Sequence, residues 1–173
     1  QIASLGSMRA SFYTNKFEEN ILFCDEILGN KEFAEDIQLE ANYYKAKSLF
    51  ATDKKDLAKP YLEIIAKKSS SENGAECKYL LAVYENGKGN FEKSLDICFE
   101  LKDDFASYQK WVVKAFILIG DNYLKMDDIF QAKATIESLL SNFDEDKALV
   151  EEAKAKLAEI ELAGKGKSKV DFK

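Results

Sequence analysis

The sequence predicts an all-α fold built from about four antiparallel helical hairpins and a C-terminal capping helix. Two observations carry that expectation. The first is an internal register: Asn20, Ala58, Ser94 and Ala132 align at intervals of 38, 36 and 38 residues. Three positions before this slot stand Phe17, Lys55, Phe91 and Ile129, and seven after it Ile27, Ile65, Leu101 and Leu139. A fixed period in this range marks stacked helical hairpins, which bury their apolar faces only against one another. The second is the scarcity of helix breakers, one Pro and 8 Gly in 173 residues, which lets helices run long.

Taken in order, Ile2–Tyr13 and Lys16–Leu28 form the first hairpin, closed by the helix stop Gly29-Asn30. A long helix opens near Lys31 and runs to Ala51, with Leu39, Tyr43, Ala46 and Phe50 at helical spacing. Asp53 then caps a helix over Lys54–Lys67, which Pro60 bends or whose start it displaces. Ser69–Gly74 reads as a loop. Glu76–Asn86 and Asn90–Lys102 follow, separated by Gly87-Lys88-Gly89, then Ser107–Lys125 and Asp128–Asn142, divided at Asp127. Asp144 is placed as the N-cap of a closing helix that ends near Ala163, its polar face of Glu151, Glu152, Lys154, Lys156 and Glu159 shielding the last repeat. The repeats thus cover residues 1–30, 31–69, 70–104 and 105–142, the capping helix 144–163, and a flexible Lys-rich tail 164–173. Ile2–Tyr13 already reads as half a repeat, so further repeats upstream are expected.

Composition bounds the function. With 46% hydrophobic and 32% charged residues the chain is globular. A net charge of -6 and a single arginine, Arg9, argue against nucleic acid as partner, since phosphates need clustered cations. The longest apolar run, Trp111–Ile119, is too short to span a bilayer and contains Lys114, so direct membrane insertion is not expected. Cys24 and Cys98 stand at the same place in their repeats and read as core hydrophobes rather than redox or nucleophilic groups.

Catalytic chemistry lacks its usual parts. There is no histidine, which removes the commonest general base and metal ligand and excludes Ser–His and Cys–His nucleophile systems. Gly87-Lys88-Gly89 has no strand before it and reads as a hairpin turn rather than a phosphate loop. The acidic runs Asp103-Asp104, Asp127-Asp128 and Asp144-Glu145-Asp146 read as helix-capping charge, the last lacking the alternation and glycine of a calcium loop. No enzyme, cofactor or metal is expected.

The repeat resembles the tetratricopeptide repeat. Ile119-Gly120, Tyr123, Ala132, Ile136 and Leu139 match it best, followed by Leu81-Ala82, Gly89, Phe91, Ser94 and Leu101, then Ala46, Leu49, Ala58, Leu62 and Ile65. Gly120, Ala82 and Ala46 let the two helices of a hairpin approach closely. Two departures keep other helical-hairpin repeats in play: the spacing exceeds the family's about 34 residues, and its usual proline is missing. The resemblance implies a right-handed superhelix whose first helices line a concave groove. Carried over copy by copy, groove positions include Leu5, Arg9, Phe12 and Tyr13; Glu40, Tyr43, Lys47 and Phe50; Glu76, Tyr79, Val83 and Asn86; and Lys114, Ile117, Asp121 and Leu124.

Arg9, Tyr43, Lys47, Tyr79 and Asp121 are the expected partner-binding residues, tyrosines among opposite charges that grip a protein or peptide. The competing expectation is packing between repeats for Phe12, Phe50 and Leu124 and mere solvation for the charges. Arg9 and Lys47 lack the asparagine and lysine partners of a carboxylate clamp, so chaperone-tail binding is not expected. Trp111 is expected to be buried between the third and fourth repeats. At the level of function the expectation is a non-catalytic interaction scaffold; the alternative is a structural end of a longer array, or a self-association module. In style the chain resembles tetratricopeptide arrays of bacterial cell-envelope proteins, which implies the periplasm ahead of the cytoplasm.

Overall fold

A computed structural model describes residues 2–168 as nine α-helices, with no strand among them. They are α1 (Ile2–Tyr13), α2 (Phe17–Gly29), α3 (Glu35–Ala51), α4 (Lys55–Lys68), α5 (Glu72–Gly87), α6 (Phe91–Asp104), α7 (Gln109–Lys125), α8 (Ile129–Asn142) and α9 (Lys147–Ser168). The chain divides into two compact units, one through Lys78 and one from Tyr79, so that the division falls within α5.

Four turns repeat one backbone solution. Asn15, Asp53, Gly89 and Asp127 all take positive φ, at 58°, 59°, 80° and 70°. In each, the following residue's N–H reaches back to close the helix: Lys16 to Ser11 O at 2.8 Å, Lys54 to Leu49 O at 2.8 Å, Asn90 to Glu85 O at 2.9 Å and Asp128 to Tyr123 O at 2.9 Å. With the inner bonds from the N–H groups of Asn15, Asp53, Gly89 and Asp127 to the carbonyls three residues back, at 3.0–3.2 Å, these are Schellman endings that reverse the chain into its second helix.

Five residues beyond each left-handed residue lies the register slot, and Asn20, Ala58, Ser94 and Ala132 are all fully buried. The small residues opposite them behave as read. Ala46 and Ala82 are fully buried, and a Cβ on Gly120 would stand 2.6 Å from Ile136 Cδ1. Around this seam the first unit gathers Met8, Cys24, Ile27, Phe33, Ala41 and Tyr44. The second gathers Val113, Ile117, Ala132, Ile136, Leu139, Leu149, Ala153 and Ile160. Cys24, Cys77 and Cys98 are buried and unbridged, and desolvation pushes each thiol up to about 12, which suits packing rather than redox chemistry.

Where the slot is polar, it is bonded across helices. Asn20 Nδ2 donates to Met8 O at 2.6 Å, and its Oδ1 accepts from Ser48 Oγ at 2.7 Å. Ser94 Oγ donates to Ala82 O at 2.9 Å and accepts from Asn122 Nδ2 at 2.9 Å. Both pairs join residues 28 apart, and the second stands 74 residues after the first (20 to 94, 48 to 122). The same polar pairing thus recurs once in each unit.

Several boundaries differ from the sequence reading. α3 opens at Glu35, not Lys31, because Phe33 turns into the core and Asn30 Oδ1 holds the N–H of Glu32 at 2.9 Å in an Asx turn. Asp53 serves the αL turn, leaving Lys54 at the N-cap of α4; Pro60 sits inside that helix without displacing its start. The loop after α4 stops at Ser71, whose carbonyl accepts from Gly74 and Ala75, so Asn73-Gly74 is helical. Asp103 and Asp104 end α6 rather than cap a helix, whereas Asp128 does cap α8, accepting from the Gln131 N–H at 2.9 Å.

The closing helix also starts and ends later than expected. Asp146, not Asp144, accepts from the N–H groups of Ala148 and Leu149 at 2.9 and 3.2 Å. Helix α9 continues past Gly164 to Ser168, so the part of the expected tail up to Ser168 is helical; residues 169–173 lie outside the described residues. Tertiary packing overrides glycine's poor propensity here, since a Cβ at Gly164 would lie 3.2 Å from Ile129 Cγ2.

Candidate functional site

In the first unit, Arg9, Tyr43 and Lys47 come from α1 and α3, whose exposed turns are fixed by the same helical spacing that buries Met8, Tyr44 and Ala46 on the other side. None of the three projects alone. Arg9 grips Glu40 with a bidentate fork, Nε to Oε1 and a terminal nitrogen to Oε2 both at 2.7 Å. That hydrogen bond, then the charge of Glu40, raises the guanidinium's pKa further. Tyr43 donates to Glu76 Oε2 at 2.6 Å while Lys47 Nζ reaches Glu76 Oε1 at 2.7 Å and Tyr43 Oη at 3.3 Å. Burial, followed by the Glu76 bond and charge, pushes the Tyr43 hydroxyl above its ordinary range.

Beneath these groups lies a band of rings. Phe12 packs on Tyr44 at 4.6 Å between centroids and edge-on to Tyr13 at 5.7 Å, and the Tyr13 and Tyr44 hydroxyls sit 3.2 Å apart. The Lys47 ammonium stands 5.3 Å over the Tyr43 ring and 5.6 Å over Phe12. Tyr13 alone of these rings is open to solvent, at 73%. Tyr13 is one of the groove positions that the resemblance implies, and it is far more open to solvent than Tyr43 or Tyr79.

In the second unit Tyr79 is half-buried against Trp111, their rings 5.6 Å apart, with the Lys114 ammonium 5.8 Å above it. Trp111 is itself buried, and desolvation pushes the Tyr79 hydroxyl up to about 12. Asp121 is a hub: Lys156 reaches Oδ1 at 2.7 Å, while Lys125 at 2.9 Å and Asn86 at 3.0 Å reach Oδ2. Partial burial opposes its charge, but the hydrogen bonds of Lys156, Lys125 and Asn86 prevail and hold the carboxyl below its ordinary value.

The expected residues are thus rungs between successive first helices: α1 to α3, α3 to α5, α5 to α7 and α7 to α9. Solvated charge, the competing expectation, describes them less well than mutual pairing does. Lys156 was missed as part of this row. Its spacing was the available signal, since Asn86 to Asp121 and Asp121 to Lys156 both span 35 residues. Among the described residues no group of His, Cys, Asp and Glu could hold a metal ion, and no helix is long and apolar enough to cross a membrane. No family model matches the chain, and neither the curated proteins nor the solved structures contain a match to it.

Proposed function

We propose that this chain is a non-catalytic interaction module of the tetratricopeptide-like kind, a right-handed superhelix of about four hairpins that holds a protein or peptide partner on the face of its first helices. The observation that carries the reading is the aromatic band of α1 and α3, which ends in the exposed Tyr13 and is flanked by the Arg9–Glu40 and Lys47–Glu76 pairs. Rigid aromatic anchors ringed by preordered charges lose little conformational freedom on binding. Because Arg9 and Lys47 are already neutralised, shape and ring contacts would select the partner more than net charge would.

The test is a photo-crosslinking phenylalanine analogue placed at Tyr13 and, in a second protein, at Leu57 on α4, which is 60% exposed. A protein captured in cells from position 13 and not from 57 supports the module. Equal capture from both sites, or none, removes it. A homodimeric adduct from position 13 would instead support self-association.

A further inference from the structure

Two surface crevices correspond under the 74-residue shift that relates the two units. The first lies between the start of α3 and the end of α4, about 420 Å³, and carries Glu35, Gln38, Asn42 and Lys68 around Leu39. The second lies between the start of α7 and the end of α8, about 250 Å³, and carries Gln109, Val112, Phe116 and Asn142 around Val113. Each of these five residues stands 74 after its counterpart, so one backbone frame has been lined in two ways.

The linings differ in kind. In the first crevice Lys68 Nζ bonds Glu35 Oε1 at 2.8 Å, joining the two helices across the space between them. In the second the same positions are the uncharged amides Gln109 and Asn142, which cannot form that link. Gln38 and Asn42 have become Val112 and Phe116, both half-buried, over the buried Val113 and Leu139. Phe143 closes one end and runs directly into the exposed run Asp144-Glu145-Asp146.

We infer that the α7–α8 crevice is a docking site for a peptide that inserts a large apolar side chain beside basic residues. The apolar floor supplies the burial that drives insertion. The Gln109, Ser138 and Asn142 rim supplies donors and acceptors for a peptide backbone. The acidic run beside Phe143 favours flanking Lys or Arg and opposes a fatty-acid carboxylate. This site uses none of the paired residues described above and does not rest on that reading.

The test is selection of phage-displayed random dodecapeptides on the immobilised full chain, followed by fluorescence anisotropy with the enriched peptides. Two variants borrow the lining of the sister crevice: Val112→Gln/Phe116→Asn, and Gln109→Glu/Asn142→Lys, which rebuilds the bridging ion pair without touching the floor. The expected result is a consensus of Leu or an aromatic next to Lys or Arg, bound at least about ten-fold more weakly by both variants, with circular dichroism unchanged for the second. No enrichment, an acidic consensus, or equal binding by the second variant overturns the inference. So does binding of dodecanoate in place of peptides.

Discussion

Gly120 shows how far one side chain's absence is built into the packing. A Cβ there would stand 2.6 and 2.8 Å from the Cδ1 and Cγ1 atoms of Ile136, itself fully buried, so the packing would have to shift. Replacing glycine by alanine gains about 1 kcal/mol of helix propensity, but overpacking a filled core costs about 1–3 kcal/mol. Gly120→Ala is therefore expected to lower stability by about 1 kcal/mol in urea unfolding. With Ile136→Val added, the double variant should be less destabilised than the sum of the singles, a coupling that independent sites would not show. Asp121 gives a second residue-scale expectation. Its carboxyl is held below the unfolded value of about 3.9. The stability it contributes is thus fully present above that value and is lost as pH falls through the lower, folded one. Asp121→Asn should flatten this acid limb, so that the drop in urea midpoint between neutral pH and about pH 3 is smaller than in the parent.

At the scale of elements, the four αL turns share a geometry but not a residue. Only Gly89 is the residue that conformation favours; Asn15, Asp53 and Asp127 hold it with a Cβ. A left-handed backbone costs an ordinary L-residue about 1–2 kcal/mol, less for Asn and Asp. Gly89→Val should accordingly cost about 1–2 kcal/mol, while Asp53→Gly and Asp127→Gly should be neutral or stabilising by up to about 1 kcal/mol, read from thermal or urea midpoints. These turns also explain what was legible in the sequence. The slot residues and the hydrophobes seven positions on were readable because burial repeats with the helix, and the fold class followed from them. The role of Asp53 was not readable, because aspartate suits both an N-cap and an αL position and only the backbone chooses between them. The start of α3 was hidden by Phe33, which periodicity assigns to a helix although its burial comes from a turn. The end of α9 was hidden because the contact of Gly164 with Ile129 is long-range. The candidate face was legible in the same partial way. The resemblance pointed to Arg9, Lys47 and Asp121, but Glu40, Glu76 and Lys156 meet them only through the stacking of helices some 30 residues apart.

For the whole molecule, the relevant repeat is the pair of hairpins rather than the single one. Alternating intervals of 38, 36 and 38 follow from it, as do the matched crevices and the matched polar pairs. Exchange of equivalent helices is a characteristic failure of repeat chains during folding. The polar pairs oppose that exchange through their reversed order. In the first unit the second helix carries the amide and the next helix the hydroxyl, Asn20 to Ser48; in the second unit the hydroxyl comes first, Ser94 to Asn122. A swapped pairing would set Asn20 against Asn122, two long amides in space fitted to one, or Ser94 against Ser48, two short hydroxyls unable to meet. Either leaves buried polar atoms crowded or unbonded, at a cost of about 1–3 kcal/mol each. The two halves thus carry opposite keys, so that each second helix can tell its own neighbour from the equivalent one.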